Sequence, residues 1–219
     1  MKPRTYLAGV VAVCATILVS AGLLAQENTY GEMTPEQQAM MQAMAEYGTP
    51  GEQHEMLANR VGTWTVAGKA WDSPDAEPML FTATSTIKSV MDGRYFLEKV
   101  EGPGFMGGPP FEGRSIFGYD NITKTYFSFW FDNMMTGVAR YEGTATDDGR
   151  TIHYTVDTPD PMGGKYKQVR AVDRMIDDDH GVFTMYDTTA DGDEFIAMEI
   201  TVTRKGAEPT SKPEKKRGY

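Results

Sequence analysis

From residue 61 onward, apolar and polar positions alternate with a period of two, and Gly, Asp, Asn or Pro interrupts the alternation at short intervals. Successive side chains on a strand point to opposite faces, so this pattern predicts a series of half-buried β-strands. Ten strands are expected, over 61–71, 79–90, 94–101, 111–119, 124–132, 137–146, 150–157, 165–176, 181–187 and 195–204. Asp92-Gly93, Asp120-Asn121 and Asp148-Gly149 supply tight-turn chemistry between them. No gap is long enough for a crossover helix, so neighbours must run antiparallel. The fold class is therefore all-β: an antiparallel up-and-down barrel of about ten strands, preceded by short N-terminal helices.

The first of those helices starts at Thr34-Pro35-Glu36-Gln37, with Thr as cap, Pro at the first helical position and Gln at the third. It should run to about Tyr47, before Gly48-Thr49-Pro50-Gly51, and a second should run from Glu52 to about Asn59. In a meander, successive connections fall on alternate ends. One end receives 91–93, 120–123, 147–149 and 177–180, all short; the other receives 72–78, 102–110, 133–136, 158–164 and 188–194, mostly longer. A cup with a closed base and an open mouth is expected.

The first 25 residues do not fit that plan. Lys2 and Arg4 precede an uncharged apolar run from Leu7 to Leu24, and Ala21, Gly22 and Ala25 lead into Gln26-Glu27-Asn28. This is the layout of a secretory signal cleaved after Ala25, with an uncleaved membrane anchor as the alternative. The expected domains are 1–25 signal peptide, 26–58 Met-rich helical lead-in, 59–205 barrel and 206–219 basic tail. Cys14, the single cysteine, leaves with the signal, so disulfides, thiol nucleophiles and thiolate metal sites leave with it.

Removing Lys2 and Arg4 leaves 19 basic residues against 31 acidic ones. Five of the basic residues lie in the tail from Lys205 to Tyr219, so the barrel itself is strongly acidic. Such a surface repels nucleic acid and anionic headgroups, and neither nucleic acid nor, after cleavage, a membrane is expected as a partner.

Three residues carry a structural signature. Gly62 and Trp64 open the first strand, and Arg204 ends the last. In a closed barrel of even strand number these ends lie side by side, so the Arg204 guanidinium can cover the Trp64 indole at the base. That arrangement resembles the calycin barrels, which include the lipocalins and the nitrobindin-type haem barrels. A more specific resemblance rests on Thr49-Pro50-Gly51, His54, Leu57-Ala58, Val61-Gly62-Thr63-Trp64, Gly93-Arg94, Phe111-Glu112-Gly113 and Gly118-Tyr119-Asp120-Asn121. It continues through Asp160-Pro161-Met162, Asp177-Asp178-Asp179, Phe183, Met185-Tyr186, Met198-Glu199-Ile200 and Thr203-Arg204-Lys205. These resemble, in order and spacing, the bacterial domain-of-unknown-function family fifteen-seventy-nine over about residues 49–205. The resemblance implies a calycin-like barrel in an exported protein and no particular activity.

Candidate chemistry is sparse. His54, His153 and His180 are far apart and form no metal motif. A nitrobindin-like haem would need a histidine in the cavity, and His153, within a strand, has the polar neighbours Thr151, Thr155 and Asp157. Met40, Met41 and Met44 form an apolar helix stripe, and Met106, Met134, Met135 and Met162 cluster at the expected mouth, where thioethers suit an adaptable apolar surface better than copper. The aspartate runs sit at turns and lack calcium-loop spacing. No nucleophile motif is present. No cofactor and no metal are expected.

Arg94, Asp132, Arg170 and Tyr186 stand as polar residues within apolar or aromatic strands. If they point inward they could orient a ligand; if outward they face water or pair across strands. Together with Phe105, Met106, Met134 and Met162 they make the expected ligand-binding set, at a hydrophobic cavity opening between loops 102–110 and 158–164. The expected function is non-catalytic binding of a small apolar or amphipathic molecule by a periplasmic or secreted barrel. The alternatives are a cavity enzyme of isomerase or hydrolase type and an envelope interaction module.

Overall fold

The computed structural model describes residues 33–104, 107–146 and 148–207. Two helices, α1 (Pro35–Gly48) and α2 (Glu52–Ala58), precede ten strands. These are β1 (Gly62–Ala70), β2 (Met79–Val90), β3 (Tyr95–Gly102), β4 (Phe111–Asp120), β5 (Thr125–Asp132), β6 (Ala139–Ala145), β7 (Thr151–Asp160), β8 (Lys165–Met175), β9 (His180–Thr188) and β10 (Glu194–Arg204). The chain divides into a short N-terminal unit ending at Ala39 and a larger one from Met40. In the first, Thr34 and Gln37 cap the helix reciprocally, at 3.2 Å and 2.9 Å. Helix α1 buries none of its residues.

In the larger unit each strand pairs antiparallel with its neighbours in sequence, and β1 pairs with β10, closing the barrel. The strands match the alternation to within two residues, except at the end of β7, which runs three residues farther. That exception matters for the mouth. Strands β7 and β8 stay paired out to Asp160 and Lys165, so the expected loop 158–164 shrinks to a turn. The Asp160 carboxylate closes that turn by accepting from the Gly163 amide at 3.0 Å. Long connections persist at 71–78 and 103–110. At the base the turns are tight, and Met91, Asp92 and Gly93 all take positive φ there.

Strand register settles which side chains face the lumen. On β1 these are Trp64, Val66 and Gly68; their partners on β10 are Arg204, Val202 and Ile200, as the phase of that strand predicts. A β-bulge between Ile196 and Met198 shifts the phase nearer the mouth. Helix α2 stops the base: Leu57 is buried and joins Phe96, Tyr126, Ile152, Tyr154 and Val156 in one core cluster. Asn121 ties the segment before α2 to the β4–β5 turn, donating to the Tyr47 and Thr49 carbonyls at 2.9 Å each.

Candidate functional site in the barrel lumen

The lower lumen is packed. Phe96, Ile152 and Val156 expose nothing. Around them the inward-facing side chains of Phe81, Phe117, Trp130, Tyr141, Phe183 and Met185 remain only half-buried, although a closed wall surrounds them. In a closed barrel that remaining surface must face the interior or the mouth. Glycines hold two of these rings flat against the wall. A Cβ on Gly68 would lie 2.0 Å from the Phe81 ring, and one on Gly113 would lie 2.4 Å from Trp130. Any larger residue there would push the ring into the lumen.

A polar group stands inside this apolar surface. Glu98 points inward from β3 and accepts from Ser85 Oγ at 2.6 Å and Ser115 Oγ at 3.1 Å, each from a flanking strand. Burial pushes its carboxyl above the usual carboxylate range, and the two serine hydrogen bonds oppose that without undoing it. The Tyr141 hydroxyl is held far above its ordinary pKa by burial and then by the negative charges of Glu98 and Asp132. Nearer the mouth, Asp132 accepts from Trp130 Nε1 and from the Met134 amide, at 2.9 Å each.

Below Glu98, Arg60 rises through the base between α2 and β1. Its carbonyl accepts from Trp64 Nε1 at 2.9 Å, and its Nη1 pairs with Asp173 on β8. Burial works most strongly, against the guanidinium charge, and the combined pull of Asp173, Tyr154 and Glu98 outweighs it, so its pKa moves up. Arg60 Nε and Nη2 are the buried side-chain polar atoms left without a partner among the described residues. An unpaired buried donor costs about 1–3 kcal/mol.

A groove of about 930 Å³ runs along the outer wall past Tyr95, Phe127, Arg140, His153 and Gln168, and one of about 160 Å³ lies at the base beside Met56, Gly149 and Met175. The groove is open to solvent.

The family model described as "Protein of unknown function (DUF1579)" matches residues 49–204, from the lead-in to α2 through the last residue of β10. The chain belongs to the DUF1579 family. No curated protein matches it. Among solved structures it is similar to the crystal structure of Rv2717c from M. tuberculosis, with a TM-score of 0.53 and 12% identity over 72% of this chain and 99% of that one. At that identity the likeness concerns the fold. A redesigned β-barrel is similar at a TM-score of 0.36 and 16% identity, over 70% of this chain and 95% of that one.

In this DUF1579 barrel the residues singled out from sequence do not converge. Asp132 faces the upper lumen. Arg170 and Tyr186 face outward instead: the guanidinium lies 3.3 Å from the Tyr186 ring centroid and forms a two-pronged pair with Glu194. Their neighbours Ala171 and Met185 take the inward positions, because β8 and β9 have the opposite phase. Arg94 sits at a base turn, bonded to the Met91 carbonyl, away from the mouth. Met134 and Met162 are exposed, Met162 almost completely. Phe105 and Met106 lie outside the described residues, as do residues 1–32 with the expected signal and 208–219 with most of the tail. His153 faces solvent, and His54 caps α2 by accepting from the Gly51 amide at 3.1 Å.

Glu98, Ser85, Ser115 and Arg60 escaped the sequence reading. Strand β3 carries apolar residues on both faces, with Phe96 and Val100 on one and Tyr95 and Leu97 on the other, so its phase was ambiguous. Small hydroxyl residues at matching depths on adjacent strands were the available signal.

Proposed function

We propose that this protein is an exported, non-catalytic barrel that binds a small, partly apolar molecule in its upper lumen. The observation that supports the reading is the contrast within one closed wall: Phe96, Ile152 and Val156 are sealed, while inward aromatic and methionine side chains beside them keep partial exposure. Apolar surface left uncovered inside a closed barrel is a binding surface for an apolar body, and Glu98, Tyr141 and Asp132 give it polar groups for orientation. Export rests on the charged start and apolar run of residues 2–24.

The test is titration of the mature protein with N-phenyl-1-naphthylamine, a neutral dye that brightens in apolar surroundings. Saturable brightening is expected, with energy transfer from Trp130. Ser128→Phe places a ring in the lumen opposite Tyr141 and Phe117 and should abolish the signal without unfolding the barrel. Absence of dye binding, or equal binding by Ser128→Phe, would overturn the reading.

A further inference from the structure

An arginine has one edge, Nε with Nη2, shaped to receive the two oxygens of a carboxylate. Among the described residues that edge meets a carboxylate at two surface sites. Arg114 gives Nε and Nη2 to Glu112, and Arg170 gives the same two atoms to Glu194. Inside the barrel the same edge of Arg60 has no partner among the described residues. Nη1 is committed to Asp173, while Nε and Nη2 are buried and unpartnered. The nearby acid does not fill the place, because Glu98 is held by Ser85 and Ser115. Both edge atoms are sealed from solvent, so bulk water does not satisfy them.

We infer that the vacant edge of Arg60 is the head-group site of the lumen, and that the natural ligand is an apolar monocarboxylate whose acid group docks there. This rests on the proposed binding function and adds the class of ligand. The tail would run over Phe183 and Met185, which pack against the core cluster and keep partial exposure. Because the edge is sealed, docking includes a change of rotamer in the side chains that roof it. Burial pushes the Glu98 carboxyl above its usual range, which lessens its repulsion of a bound anion.

Three ten-carbon probes that differ in one group separate the possibilities: decanoate, decanol and decylammonium, below their micellar concentrations, at pH 7, by calorimetry and by displacement of the naphthylamine dye. Decanoate should bind roughly tenfold or more tighter than decanol, as for a charge-assisted two-pronged contact. Decylammonium should bind weakest. Arg60→Gln should erase the preference for decanoate and leave decanol unchanged. Asp173→Asn, which removes the competing carboxylate and keeps Arg60, should tighten decanoate alone; this variant decides if Arg60→Gln fails to fold. Dye and decanol binding without a decanoate preference, or a preference for decylammonium, overturns the head-group assignment and leaves the binding reading standing. Failure of the dye and all three probes overturns both.

Discussion

The guanidinium of Arg204, from the end of β10, lies 4.2 Å from the ring centroid of Trp64 near the start of β1. It donates to the Val61 carbonyl at 2.9 Å and the Asn59 carbonyl at 2.7 Å, joining the last strand to the lead-in of the first. Gly62 belongs to the same contact: its φ is +144°, and a Cβ there would lie 2.6 Å from Arg204 Nη1. Barrel closure and the base plug therefore share one residue.

Trp64→Ala removes a buried aromatic at this junction and should cost about 3–5 kcal/mol in urea unfolding. Trp71, half-buried beyond the other end of β1, should cost clearly less when changed to Ala. Equal small losses at the two sites would show that the Trp64–Arg204 contact does not hold the barrel shut.

Asp173→Ala strands the Arg60 charge at the bottom of the lumen. A buried pair broken on one side costs about 3–5 kcal/mol, whereas a surface pair such as Lys99–Glu101 should cost under about 1 kcal/mol. Chemical denaturation of Asp173→Ala and Glu101→Ala, side by side, measures the difference.

Glu98 should make stability fall as pH rises. Its folded pKa is raised, so its favourable contribution is full below the unfolded value near 4.5 and is lost as pH climbs through the folded value. Glu98→Gln keeps both serine partners without the charge. It should match the parent near pH 4 and become the more stable protein toward neutrality. Parallel stability curves across that range would contradict the assignment.

His54 should act in the opposite sense. Burial is the chief cause that lowers its pKa below the ordinary 6.5; the hydrogen bond to the Tyr119 backbone opposes this, and the charge of Arg94 adds to it. The stabilisation it provides is present above 6.5 and lost as pH falls through the lower folded value. The α2 plug should loosen first, seen as faster amide exchange at Leu57 in acid. His54→Gln should flatten that dependence.

If residues 1–25 are a cleaved signal, protein recovered from its own host should begin at or near Gln26 and fractionate outside the cytoplasm. An intact N-terminus retained in membranes would support the anchor instead.

The strands and their order were determined by the sequence alone, because alternation is a local property and Asp-Gly turns report hairpins directly. Gly62, Trp64 and Arg204 were equally legible: an even-stranded meander leaves its two ends no place but side by side. The inward phase of β10 followed from Arg204 for the same reason. What only the tertiary structure decided was the company each lumen residue keeps. Arg170 and Tyr186 stood open between lumen and solvent until register set them outside with Glu194. Glu98 carries no mark in the sequence; only pairing places Ser85 on one side of it and Ser115 on the other. Arg60 precedes the first strand and has no periodicity to read; it enters the barrel because α2 stops the base and Asp173, more than a hundred residues away, meets it there. Strand formation depends on neighbours in sequence, whereas a buried charge depends on closure, which brings its partners together from strands far apart in the chain.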